Sequence, residues 1–338
     1  MASFGKLPVE RALLNNCEMM LSRLKNSPRL FVLTVAPVAL LALVAGRSLH
    51  IKEPPSFESQ SAQAATRKIP PSVSFPDQRR EIFVNLKAAL VIDNSSGAPL
   101  YAFSADSVRP IASISKLISA ITLLDMDFPR DSVVTVTRED ARRSSKSNLY
   151  VGDRVEAGDL LYVALIGSDN RAIRALGRTF GGSYKKFGEL MNQTCRRIGM
   201  THTRMVEPSG LSKSNVSNAA DCALLVNQAL KYKEIVRASS KKTYRFLLTN
   251  RRGKKKYRRV VTTNRLVYSR YKTLVGKTGF ILASDYCLAT ILENKKGERL
   301  TVVALGAPRS SIRFKEARRL ADFGFRKLRK SHGSKSSS

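Results

Sequence analysis

"RPIASISKLISA", residues 109–120, sets Ser113 and Lys116 inside an otherwise apolar run, and its reading decides the fold of the whole chain. Behind Pro110, the apolar residues Ile114, Leu117, Ile118 and Ile121 recur at helical spacing, which predicts a helix over 113–126. Ser113 and Lys116 then share a helix face, with β-carbons about 5–6 Å apart. The lysine activates the serine only after losing its proton. Partial burial beside Ile111 and Leu117, or a second cation close by, favours that neutral amine. Alone, the spacing is weak, because Ser-x-x-Lys arises by chance in most chains of this size and fits a helix with a surface lysine equally well.

Two further motifs change this reading. Ser168-Asp169-Asn170 falls at a break between a helix predicted over 157–166 and a second helix after it, and Lys277-Thr278-Gly279 falls in a strand candidate. Ser-x-x-Lys, Ser-Asp-Asn and Lys-Thr-Gly in this order form the signature of serine β-lactamases and penicillin-binding proteins. The settings agree as well: first helix, inter-helix loop, late strand.

Around these motifs the periodicity alternates. Residues 88–103 read as two strands joined by a turn over Asn94 to Gly97, and 133–137 as a short strand. Helices are expected over 184–199, 219–230 and 311–328, with a turn at 207–210. Residues 241–260 hold ten Lys or Arg and no acid, and Gly253 between two strand-like segments predicts a hairpin with a very basic tip. Three more strands follow in "RYKTLVGKTGF", "YCLATILEN" and "RLTVVALGA". Strands gathered toward both ends, with helices between, predict an α/β (α+β) domain: an antiparallel sheet built from both ends around a helical insertion.

The domain, expected over 79–328, is preceded by a Pro- and Ser-rich linker at 47–78 and followed by a basic, frayed tail at 329–338. Residues 30–46, "LFVLTVAPVALLALVAG", are almost unbroken in their apolar character and come after a basic segment, 1–29, with Lys6, Arg11, Arg23, Lys25 and Arg29. That arrangement suits a signal or membrane anchor that sends the remainder of the chain across the inner membrane into the periplasm or an equivalent extracytoplasmic space. The length lies between those of a signal core and a bilayer span, so both alternatives stand.

The chain resembles the low-molecular-mass penicillin-binding proteins of the D-alanyl-D-alanine carboxypeptidase and endopeptidase type, over about residues 85–325. The resemblance is carried by "RPIASISK" (109–116), "VGDRVEAGDLLYVALIGSDNRA" (151–172), "EPSGLSKSNVSNAAD" (207–221), "TTNRL" (262–266) and "VGKTGF" (275–280). It implies a β-lactamase/transpeptidase-like fold, stem peptides of peptidoglycan as substrate and β-lactams as inhibitors. It further implies Ser113 as nucleophile, Lys116 as its base, and Ser168 bonded to Lys116 and passing a proton to the departing amine. Asn170 would hold the substrate amide, Lys277 and Thr278 its carboxylate, and Gly279 would let the strand approach the substrate. The backbone N–H groups of Ser113 and Phe280 would form the oxyanion hole. Ser284 departs from the glycine common in that family. With few residues after the last helix, the chain resembles the endopeptidases more than the carboxypeptidases that carry a second domain.

Composition limits the alternatives. Three histidines and four dispersed cysteines leave no zinc pattern, and serine–lysine chemistry needs no metal or cofactor. Cys195 and Cys222 are the candidates for a disulfide. A serine β-lactamase is the first alternative, but no convincing deacylating glutamate lies between 168 and 277; Glu207 belongs to the "EPSGLS" turn. The second is a non-catalytic binder of wall or another polyanion, since Lys+Arg 59 against Asp+Glu 26 gives a formal net charge of +33. A salt-dependent contact with an anionic wall or membrane surface is compatible with enzyme activity. Nucleic acid is disfavoured by the absence of any recognition motif.

Overall fold

The computed structural model describes residues 81–335, apart from 143, 145 and 146. The expected basic segment, apolar stretch and linker lie outside these residues. In chain order, β1 (Ala88–Asp93) and β2 (Pro99–Phe103) form the first hairpin, and β3 (Arg109–Pro110) leads into a 3-10 turn, Ala112–Ile114, and α1 (Ser115–Asp125). Next are β4 (Val133–Thr135), α2 (Arg138–Ala141), β5 (Arg154–Glu156), α3 (Ala157–Ile166), α4 (Asn170–Gly181) and α5 (Tyr184–Ile198). Then come β6 (Val216–Ser217), α6 (Ala219–Ala229), α7 (Lys233–Ser240), β7 (Thr243–Thr249) and β8 (Lys255–Val261). The chain closes with β9 (Lys272–Ile281), β10 (Asp285–Glu293), β11 (Arg299–Ala307) and α8 (Ser310–Lys335).

The main sheet has the order β2-β1-β11-β10-β9 and is antiparallel throughout, so strands from both ends of the domain meet at its centre, as the sequence predicts. Its central strands are buried on both faces. Ala88, Leu90 and Ile92 of β1 point into one apolar cluster with Ile118 of α1 and Leu225 of α6; the alternate residues Ala89 and Val91 point into another with Phe314, Leu320 and Phe325 of α8. A continuous apolar strand sandwiched between helices is the consequence. β9 is an edge strand, and this leaves one of its sides open to the helical insertion.

The basic segment forms the hairpin β7–β8, with Gly253 in the left-handed region at φ +77° and Asn250 Oδ1 receiving the N–H groups of Arg252 and Lys254. The sequence reading did not foresee that it joins β4 and β5 in a second, four-stranded sheet, order β4-β5-β7-β8. Helix α7 was also not foreseen, having no side-chain N-cap to mark its start. α8 extends to Lys335, past the expected end at 328. Buried Leu328 holds its last turns to the sheet, and lysine and arginine are good helix formers that suit a helix C-terminus. Cys195 and Cys222 are not paired: both are free and buried, where they pack as small apolar residues, and burial pushes the Cys195 thiol up to about 12.

Candidate active site

Ser113 lies in the 3-10 turn just ahead of α1, one turn before Lys116. The turn is strained: Ala112 adopts φ +47°, a conformation costly for a residue with a β-carbon. Two glycines hold it. A β-carbon on Gly210 would lie 2.0 Å from the Ala112 carbonyl oxygen, and one on Gly279 would lie 2.7 Å from that of Ile111 and 3.1 Å from the Ser113 nitrogen. The close approach enabled by Gly279 is thus between β9 and the nucleophile turn.

Lys116 is fully buried. Its Nζ donates to Ser113 Oγ at 2.9 Å, Asn170 Oδ1 at 2.6 Å and the Ser209 carbonyl at 2.5 Å. Burial pulls its pKa down to about 8, against the opposing fields of Glu207 and Asp169. All three of its partners are uncharged. The same 2.9 Å contact allows a neutral Lys116 to receive the Ser113 proton, while Ser113 itself remains partly exposed.

The Ser-Asp-Asn loop is set by its middle residue. Asp169 caps α4, receiving the N–H groups of Arg171 and Ala172, and also binds the Ser147 hydroxyl and the Asn148 N–H. Ser168 is left in the left-handed region at φ +56°, and Asn170 starts the helix with its side chain on Lys116. Here the structure corrects the sequence expectation. Ser168 Oγ receives its hydrogen bond from Lys277 Nζ at 2.8 Å, whereas the three donors of Lys116 go to Ser113, Asn170 and Ser209.

Lys277 is buried on edge strand β9, its charged form disfavoured first by desolvation and then by the cations Lys116 and Arg313. Thr278 Oγ1 pairs with Thr263 Oγ1 at 2.6 Å, which gives the "TTNRL" segment a place at the site. Phe280 is exposed, and its ring stacks on Tyr286 at 4.2 Å between centroids. Ser284 closes the β9–β10 turn: its hydroxyl receives the Ile281 N–H at 3.1 Å and donates to the Asp285 carbonyl at 2.7 Å. The departure from glycine therefore falls in the turn and leaves the motif strand paired over its length.

Two contributors escaped the sequence reading. Ser209 acts through a backbone carbonyl, which no side-chain motif reports, although the "EPSG" turn that carries it was visible. Arg313 of α8 is buried, donates to the carbonyls of Gly279 and Cys287 at 3.0 and 3.1 Å, and has its pKa lowered to about 10 by burial. It stands in a helix rich in arginine, and nothing in the sequence separates it from its neighbours. Lys116, Lys277 and Arg313 thus bring three buried basic side chains together, and burial disfavours the charged form of each. The Glu207 carboxylate is engaged within its own turn, receiving the Ser209 N–H and hydroxyl and the Ser212 N–H.

Comparison with known proteins places this geometry. A family model described as D-alanyl-D-alanine carboxypeptidase matches residues 76–309. The D-alanyl-D-alanine endopeptidase of Escherichia coli (strain K12) is 33% identical over 65% of this chain and 71% of its own length. That of Pseudomonas aeruginosa is 33% identical over 67% of this chain and 72% of its own. Among solved structures, penicillin-binding protein D2 from Listeria monocytogenes, in an ampicillin-bound form, is 30% identical with a TM-score of 0.61, covering 72% of this chain and 98% of that one. The Streptomyces K15 DD-transpeptidase shares the fold with a TM-score of 0.67 at 23% identity, over 72% of this chain and 98% of its own.

Proposed function

The chain belongs to the D-alanyl-D-alanine carboxypeptidase family of serine peptidases acting on peptidoglycan, and from that premise we propose that it is an endopeptidase of D-alanyl cross-links working through an acyl-enzyme on Ser113. The observation that carries the residue assignment is the Lys116 amine: fully buried, 2.9 Å from Ser113 Oγ, and shifted toward its neutral form. The endopeptidase reading is supported by the Escherichia coli and Pseudomonas aeruginosa relatives, whose names specify that activity.

In the proposed sequence Lys116 takes the Ser113 proton as Oγ bonds to the carbonyl carbon of the D-alanine on the acyl side. The Ser113 and Phe280 N–H groups receive the developing oxyanion, each such donor being worth on the order of 3 kcal/mol in hydrolases of this chemistry. The C–N bond then breaks, and the departing amine receives a proton from Ser168, which regains one from the Lys116 ammonium as the contacts rearrange around the substrate. The Ser113 proton thus leaves on the amine, and Lys116 and Ser168 return to their starting states. Water hydrolyses the ester. Asn170 orients the scissile amide, while Lys277, Thr278 and Gly279 on β9 hold the substrate carboxylate and the backbone beside it. No step calls for a metal or cofactor.

A β-lactam presents the same acyl target and leaves a slowly hydrolysed ester on Ser113. Peptidoglycan lies outside the cytoplasmic membrane, and the apolar stretch 30–46 is read as the export signal or anchor; it lies outside the described residues. Among the described residues, no helix is long and apolar enough to cross a membrane. The test is a paired assay on purified muropeptides. Faster cleavage of the cross-linked dimer than of the pentapeptide monomer is expected, and the reverse preference would reassign the enzyme as a carboxypeptidase.

A further inference from the structure

We propose that the outer face of the β7–β8 hairpin docks on an anionic phospholipid bilayer. The register sets Arg245 opposite Arg259, Leu247 opposite Tyr257, Thr249 opposite Lys255 and Thr243 opposite Val261. Strand alternation turns all of these residues to one side, while Phe246, Leu248 and Val260 on the other side are buried in the main apolar cluster. The inner face is thus satisfied. The outer one presents Tyr257 at 62%, Val261 at 50% and Leu247 at 37% exposure, surrounded by cations and extended by Arg251, Arg252 and Lys254 at the tip.

Such a face is unfavourable when left alone. Like charges directly opposite one another weaken an antiparallel pair. Among the described residues, none of the ion pairs involves a cation of this hairpin. Arg245 lies instead over the Tyr257 ring at 4.2 Å. A partner that supplied the counter-charge would relieve this repulsion. Cations alone would suit any polyanion; the exposed leucine, tyrosine and valine at the centre call for an apolar layer beneath the anions. A bilayer surface supplies both, headgroup phosphates for the arginines and an acyl boundary for Leu247 and Tyr257.

The chain contains no tryptophan, so Tyr257→Trp in the full-length protein gives a single fluorophore on this face. Its emission is read against vesicles of phosphatidylcholine with phosphatidylglycerol carrying brominated acyl chains. A blue shift and quenching are expected that are lost on pure phosphatidylcholine and reduced in high salt. Arg245→Gln with Arg259→Gln should weaken the association by about fivefold for each cation removed. Arg318→Gln with Arg326→Gln, which removes the same charge from α8, should leave it unchanged. Phe83→Trp, at a 68% exposed position outside the hairpin, should remain unquenched. Penicillin acylation of Ser113 in every variant establishes that the fold is kept. The proposal is overturned if the Tyr257→Trp fluorophore is not quenched, if that of Phe83→Trp is quenched equally, if the α8 variant loses as much, or if only soluble polyphosphate or single-stranded DNA shifts the emission.

Discussion

Lys277 donates to Ser168 Oγ at 2.8 Å, which ties the serine of the second motif to the lysine of the third. The two buried lysines therefore divide the site. Lys116 holds the nucleophile and Asn170, while Lys277 holds the serine assigned to the leaving group. Ser168→Ala should then leave the Lys116–Ser113 contact in place and slow penicilloyl formation by about 10²–10⁴, the range for loss of a positioned proton donor. Ser113→Ala should form no adduct at all. Intact-mass time courses with penicillin distinguish the two.

Acylation should depend on pH through Lys116. Its base form is the neutral amine, so with a pKa of about 8 the rate rises about tenfold per pH unit below that value and levels off above it. Lys116→Met should remove this rise together with most of the rate. A penicillin acylation profile across neutral and mildly alkaline pH is the measurement.

The same shift affects stability, with its sign set by the lowered pKa. Between about 8 and 10.5 the unfolded chain holds a proton on Lys116 that the folded one has released, so stability rises with pH in that window. The contribution is on the order of 3 kcal/mol, absent below pH 8 and complete above 10.5. Urea unfolding at both ends of the window should show a smaller rise in Lys116→Met than in the parent, since the buried Lys277 contributes a rise of the same sign to both.

Gly210→Ala should destabilise far more than Gly199→Ala. Both glycines have positive φ, but a β-carbon on Gly199 meets nothing within 4 Å, while one on Gly210 lies 2.0 Å from the Ala112 carbonyl oxygen. Strain alone costs about 1–2 kcal/mol, and the backbone clash should add several more at position 210. Thermal unfolding measures the difference, and the Gly210 variant should also acylate slowly because the nucleophile turn is displaced.

Glu207→Gln discriminates between peptidase and β-lactamase chemistry. The carboxylate binds groups of the Glu207–Asn215 segment, so its neutralisation should loosen the Ser209 carbonyl beneath Lys116 and slow acylation about tenfold. The lifetime of the penicilloyl ester should not change. A longer lifetime would identify Glu207 as a deacylating base.

Legibility in the sequence followed physical lines. The strands 88–93 and 299–307 were readable because unbroken apolar runs sit between turn residues, and α3 because its boundaries coincide with Glu156 and the glycine ahead of Ser168. The three motifs fell where their side chains converge. What escaped was long-range or carried by the backbone: the pairing of Lys277 with Ser168, the Ser209 carbonyl, the selection of Arg313 from a helix of arginines, and the joining of the basic hairpin to β4 and β5. Each depends on which segments meet in space, and local pattern carries no record of that.

The pairing of β1 with β11 also has a temporal meaning. Ala88 finds its partner in Leu305, and Asp93 in Leu300. Made from its N-terminal end, the chain presents β1 long before β11 exists, and closing so long a loop is a slow, late step. The nucleophile turn, braced by β9, waits with it. Until β9 and β11 have been made, the central sheet cannot close and the turn that carries Ser113 lacks its brace.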